Sequence, residues 1–214
     1  MTIGGSQIGG TADLQKGTGS TFDGRLIVNG SAIDLSTVTF DNWQPAGIIE
    51  LNGTGGADSL RGSSQTDVVP GGESNDTLLG GAGDDTLVGG SGADNLNGGA
   101  NVDNLTGGTE ADRFIFTNAS VSPIAAPDLI TDFAQASDKI ILTAIDAISA
   151  TAGVNDAFTF IGTNQFGSVA GELRIEVLAG TQTRILSDID GDGNGDFAIL
   201  FGSIVNLTAA DFAL

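Results

Sequence analysis

Seven aspartates recur at a strict spacing of nine: Asp58, Asp67, Asp76, Asp85, Asp94, Asp103 and Asp112. Five residues before each stands a glycine, from Gly53 through Gly62, Gly71, Gly80, Gly89 and Gly98 to Gly107. Two residues after each stands an apolar side chain: Leu60, Val69, Leu78, Leu87, Leu96, Leu105 and Phe114. A fixed period means that one structural unit is repeated and stacked. Flexible glycine-rich linkers also carry acid and glycine, but they have no reason to keep Asp, Gly and Leu in one register. Each unit divides into a turn of about six residues and a strand of about three, so two units make a coil of about 18. Coils stack at about 4.8 Å. Asp58, Asp76, Asp94 and Asp112 then form one ladder, and Asp67, Asp85 and Asp103 another.

The best copies, GGAGDDTLV (80–88) and GGSGADNLN (89–97), fit the GGxGxDxUx nonapeptide of calcium-binding parallel β-rolls. The expected fold is all-β, a right-handed parallel β-roll with an N-terminal β cap and a C-terminal antiparallel β unit. Calcium takes six to eight oxygens at about 2.3–2.6 Å. An ion between two turns reaches a carboxylate and backbone carbonyls from each, and glycine lets those carbonyls turn inward. The expected ligands are the seven aspartates, with Gly53, Gly55 and Ala57 from the first turn and Gly71, Glu73 and Asn75 from the third. Gly80, Ala82 and Asp84 follow, then Gly89, Ser91 and Ala93, then Gly98, Ala100 and Val102, and last Gly107, Thr109 and Ala111. Repeat two, GSSQTDVVP, lacks its second and fourth glycines, so the 67/85 interval is the least complete; Asn101 and Glu110 replace the fourth glycine in repeats six and seven. Up to five roll sites follow.

Stacked carboxylates repel by about 1–4 kcal/mol per neighbouring pair. Glycine-rich backbone is also costly to order, and each repeat offers one inward apolar side chain. The roll is therefore expected to be unfolded without calcium and ordered with it, with affinity near the 10⁻⁴–10⁻³ M typical of extracellular modules.

Composition removes whole classes of chemistry. With no His and no Cys, Ser-His-Asp and Cys-His nucleophiles, zinc proteases and disulfides are impossible. Asp plus Glu is 27 against 7 Lys plus Arg, for a net charge of −20. That balance disfavours nucleic acid and anionic membranes. Residues 1–30 show no signal peptide, and no apolar run reaches the ~18 residues of a membrane span.

Residues 1–50 read as a loose N-terminus, to about residue 20, followed by a β cap. Its strand-like runs are Phe22, Arg25–Val28, Ala32–Leu35, Thr37–Phe40 and Ile48–Leu51, with Trp43 as core. Residues 51–116 are the roll and 117–214 a C-terminal cap. After a loop at 117–127 and a short helix or turn near 143–150, strands are expected at 157–161, 172–178, 182–187 and 197–204. GGTEADRFIF, DLITDF, DKIIL, AFTFIG and the terminal DFAL resemble, in order, the C-terminal domain of serralysin-type metalloproteases. The resemblance covers about 53–214 and implies a calcium-filled roll of the RTX kind plus a β cap, exported by type I secretion from a Gram-negative bacterium. It does not bring the protease, since HExxH needs His. It places Asp128 after the last turn, closing a site beside Asp103, and it makes Asp211, Phe212, Ala213 and Leu214 an export signal.

DIDGDGNGDF sets Asp188, Asp190 and Asp192 at positions 1, 3 and 5 of an EF-hand-like loop, with Gly193 at 6, the Asn194 carbonyl at 7 and Asp196 at 9. Ile199 stands where the bidentate Glu belongs, so the loop reads as a metal-holding hairpin or as a plain Asp/Gly turn. About four to six calcium ions are expected in all. The functional reading is a non-catalytic secreted calcium-binding module. The alternative is a polysaccharide-binding accessory module of a larger enzyme, like the roll modules attached to alginate epimerases. Carboxylate-pair catalysis is disfavoured, because nearly every aspartate in register has a metal role.

Overall fold

The computed structural model describes residues 8–15 (backbone only), 25–38, 47–149 and 155–214. Phe22, Phe40 and Trp43 lie outside the described residues. The chain runs β1 (Ile8–Gln15), β2 (Arg25–Asp34), β3 (Ile48–Asn52), β4 (Ser59–Arg61), β5 (Asp67–Glu73), β6 (Thr77–Ala82), β7 (Thr86–Ser91), β8 (Asn95–Ala100), β9 (Asn104–Thr109) and β10 (Arg113–Ile115). It continues with β11 (Asp128–Ile130), β12 (Lys139–Ile141), β13 (Thr159–Gly162), β14 (Glu172–Leu178), β15 (Gln182–Asp188), β16 (Phe197–Phe201) and β17 (Phe212–Ala213). The only helical pieces described are 3-10 turns at Ala119–Val121 and Ala209–Asp211. No described helix is long and apolar enough to cross a membrane.

The nonapeptides stack as the period requires. On one face the second half of β2 pairs in parallel with β4, then β6, β8, β10, β12 and β17 follow. On the other the first half of β2 pairs with β3, followed by β5, β7, β9, β11 and β16. Each face therefore carries an inward apolar column. Ile33, Leu60, Leu78, Leu96, Phe114 and Ile140 share one register, and Val69, Leu87, Leu105, Ile130 and Phe201 the other. All are buried. The outward positions are mixed: Ser59–Thr77–Asn95–Arg113–Lys139 forms a polar ladder, while Val68, Leu79 and Val88 are apolar.

The strands differ from expectation in length. β5 to β9 run six or seven residues, because the Gly-Gly pair continues the ladder and pairs with the next coil: Gly72 with Gly90, Gly81 with Gly99, Gly90 with Gly108. A side chain at Gly81 would be strained twice, by its φ of +119° and by the backbone carbonyl of Ser63. Residues 8–15, expected to be loose, form β1, antiparallel to β2. Thr37, expected in a strand, lies in a turn.

The sequence period ends at Phe116, but the stacking does not. β11 and β12 continue the two faces, and β14, β15 and β16 add an antiparallel ribbon. Aromatic rings fill the wider C-terminal core. Phe116 meets Phe197 edge-on at 5.6 Å, and Phe133 meets Phe201 likewise.

Leu78 and Thr77 are neighbours pointing to opposite sides. Leu78→Ala is expected to cost the calcium-loaded protein about 2–5 kcal/mol, and Thr77→Ala within about 0.5 kcal/mol. Urea unfolding at fixed calcium measures both. Equal losses would contradict this placement of the core.

Candidate metal centre

The repeat places every aspartate at the end of a turn, buried. From Asp76 to Asp112 one carboxylate oxygen is used the same way, turned to the preceding coil. The Asp58 N–H donates to Asp76 Oδ1 at 2.8 Å, and the same bond joins 67 to 85, 76 to 94, 85 to 103 and 94 to 112. Asp128 continues the second ladder, accepting from Asp103 N–H at 2.9 Å. Asp138 continues the first, accepting from Asp112 N–H at 3.1 Å. The two ladders expected from the spacing are therefore formed, and Asp128 stands beside Asp103.

The other oxygen is where the turns differ. Oδ2 of Asp76, Asp85, Asp94, Asp103 and Asp112 is buried with no hydrogen-bond partner. A Cβ on Gly71 would stand against Asp76 Oδ2 and 2.8 Å from the Gly89 carbonyl oxygen. At Gly80 and Gly89 the same two kinds of oxygen converge from Asp85 and Gly98, and from Asp94 and Gly107. At the first glycine of these three turns a carboxylate oxygen and a backbone carbonyl oxygen from the next coil thus come together with no Cβ between them. A carboxylate oxygen with a neighbouring carbonyl and no donor suits a hard cation that takes oxygen ligands. A calcium ion bound there would supply the positive charge that no protein donor provides.

Some expected carbonyl donors already have partners. Gly55 accepts the Ser74 hydroxyl, and Ala100 and Thr109 accept N–H groups from Gly83 and Gly92 at 3.2 Å. Asn75 and Asp84, expected to offer carbonyls, use their side chains too, accepting from the Ala93 and Val102 N–H groups one coil on. Ser74, Asn101 and Glu110 stand at fourth positions and take the glycine-like positive φ, between 73° and 87°.

Two roll-end carboxylates escaped the sequence reading. Asp138 Oδ2 accepts the Ala134 N–H at 2.7 Å, closing the first ladder. Asp132 accepts both the Gly107 and Gly108 N–H groups. Asp138 had a signal, since Asp138-Lys139-Ile140 keeps the Asp-x-apolar spacing. Asp132 had none, since its partners lie about 25 residues back. Asp211, read as part of an export ending, caps the last 3-10 turn through the Thr208 N–H and hydroxyl.

The second candidate is the β15–β16 hairpin. Carboxylate oxygens of Asp188, Asp190 and Asp196 lie within 4.8 Å of one another. Asp188 is buried and accepts from Gly191 and Gly193 N–H. Asp196 accepts from the Ile189 N–H. Asp192 stands outside this group, because its carboxylate accepts from Asn194 backbone and side chain instead.

Burial dominates the acid–base behaviour of the roll. It pushes Asp85 up to about 9, Asp128 to about 8, Asp67 to about 7, and Asp76, Asp103 and Asp112 to about 6. An unfolded aspartate sits near 3.9. The metal-free fold therefore holds more protons than the unfolded chain from about pH 4 upward. That stabilisation is complete below pH 4 and is lost as pH rises through 6 to 9. Protons and calcium compete for the same oxygens. In chelator, far-UV circular dichroism is expected to show more β structure at pH 4.5 than at pH 8. The calcium midpoint is expected to fall as pH rises from 5 to 8. A pH-independent midpoint would contradict carboxylate ligation.

The profile of the family described as Peptidase M10 serralysin C terminal matches residues 33–214. Among solved structures, the AlgE6R3 subunit of the Azotobacter vinelandii mannuronan C5-epimerase is similar at 23% identity and a TM-score of 0.49, over 84% of this chain and 82% of that one. The AlgE6R2 subunit of the same enzyme is similar at 29% identity and a TM-score of 0.44, over 67% of this chain and 89% of that one. No curated protein matches. With the roll, its aspartate ladders and a family match over most of its length, the chain belongs to the serralysin C-terminal family and is a calcium-binding β-roll module.

Proposed function

We propose that this chain is a non-catalytic, secreted calcium-binding module whose folding is driven by calcium and which carries a C-terminal type I secretion signal. The observation that carries this reading is the row of five buried, partnerless Oδ2 atoms, on Asp76, Asp85, Asp94, Asp103 and Asp112. A fold that seals carboxylate oxygens away from donors is incomplete without a cation. The ligands we assign are those carboxylates together with turn carbonyls, with Asp128 closing a last site beside Asp103. Asp188, Asp190 and Asp196 form a separate site in the hairpin, with the Asn194 carbonyl.

The secretion reading rests on the family and on the ending. Family domains of this kind are typically secreted by Gram-negative bacteria. Asp211, Phe212, Ala213 and Leu214 are the segment we assign to the type I apparatus. In the folded chain Phe212–Ala213 pair with β12, and Phe212 is buried. A transporter can therefore read this segment only before the roll forms. Low calcium inside the cell and high calcium outside would set that order. No observation favours the glycan-binding alternative. The outward faces of β4 to β10 carry no aromatic side chain, and six ions would still leave the chain near −8.

Far-UV circular dichroism during a calcium titration from a chelated start tests the folding switch. A cooperative gain of β signal near millimolar calcium, absent with magnesium, is expected; a chain fully folded in chelator would overturn it. For export, deletion of residues 211–214 is expected to abolish release through a type I transporter in a bacterial host. Undiminished release would remove the signal assignment.

A further inference from the structure

Seven turns share one aspartate register, yet only five leave an oxygen unpaired. The two exceptions are the first two. Asp58 Oδ2 accepts the Thr54 N–H at 2.5 Å, and the Thr54 hydroxyl donates to the same carboxylate at 3.0 Å from Oδ1. Asp67 Oδ2 accepts the Ser63 N–H at 2.7 Å and the Ser63 hydroxyl at 3.1 Å. In both turns the hydroxyl oxygen also accepts the N–H two residues on, from Gly56 and Gln65. The same small network is built twice.

Thr54 and Ser63 occupy the second position of their nonapeptides. In the other five turns that position is Gly72, Gly81, Gly90, Gly99 or Gly108, each with φ between +107° and +123°. Thr54 and Ser63 keep negative φ. The difference has a simple cause. A residue with a Cβ avoids the positive-φ backbone. At negative φ its N–H turns onto its own aspartate, and its hydroxyl adds a second donor.

We propose that the second residue of each nonapeptide decides whether its turn takes calcium. Thr54 and Ser63 close the first two turns with protein donors, and calcium enters only the turns of Asp76, Asp85, Asp94, Asp103 and Asp112. This rests on the calcium reading above and removes Asp58 and Asp67 from the expected ligand set. It also gives the roll a calcium-independent end. The closed turns stack under β2 and β3, whose Leu26, Val28, Ile49 and Leu51 are fully buried. The first coil is thus a template on which the loaded coils assemble.

The test is a calcium count on the full chain, by titration calorimetry and by total calcium after gel filtration. Thr54→Gly and Ser63→Gly are each expected to add one ion to the wild-type number. Gly90→Ser is expected to remove one. Hydrogen exchange in chelator supplies a measurement that needs no variant to fold. The amides of Leu35 and Gly53, which donate to the Arg61 and Pro70 carbonyls inside the closed end, are expected to exchange at least tenfold more slowly than those of Leu96 and Leu105. If the wild type binds no calcium, the calcium reading itself fails. If it binds calcium, but the glycine variants keep its count and all four amides exchange alike, this inference alone is overturned.

Discussion

A carboxylate oxygen sealed from water with no donor is among the most expensive things a fold can contain. This roll contains five, in register, at the heart of its repeat. Everything else about the molecule follows from tolerating them. The glycines exist to bring carbonyls and carboxylates together without a Cβ between them. The coil spacing is the hydrogen-bonded strand spacing, and it brings each carboxylate within hydrogen-bond reach of the aspartate N–H one coil back. The apolar columns give the coils a core one side chain thick per strand, enough to fix register but thin for a chain this rich in glycine.

The ends of the roll are handled by different chemistry. At the C-terminal end Asp132 and Asp138 take backbone N–H groups, β11 and β12 continue the faces, and phenylalanines widen the core. The last strand, β17, pairs in parallel with β12 and buries Phe212. At the N-terminal end Thr54 and Ser63 provide donors where later turns have none. The two ends are thus satisfied by protein atoms, and the unpaired oxygens are confined between them.

The roll was legible because a nine-residue period leaves little freedom. Asp, Gly and Leu in one register dictate a turn, a strand and an inward side chain, and the structure places Leu60 to Phe114 accordingly. The ladders were legible for the same reason; the place of Asp128 beside Asp103 was legible only through the family resemblance, because Asp128 lies off the nine-residue register. What the sequence hid was contact across unequal separations. Asp132 reaches Gly107 and Gly108 across an irregular loop, and β1 pairs with β2 from a segment whose composition suggests looseness. Ser63 was visible only as a missing glycine, and Thr54 carried no signal that was read. Their donors emerge from backbone geometry, because losing a positive φ redirects an N–H.

The most direct measurement is diffraction from crystals of the full chain grown in calcium, with an anomalous difference map. The account predicts peaks about 2.3–2.6 Å from Oδ2 of Asp94 and Asp112. Carboxylates met there by water or protein donors, with no anomalous peak, would contradict it.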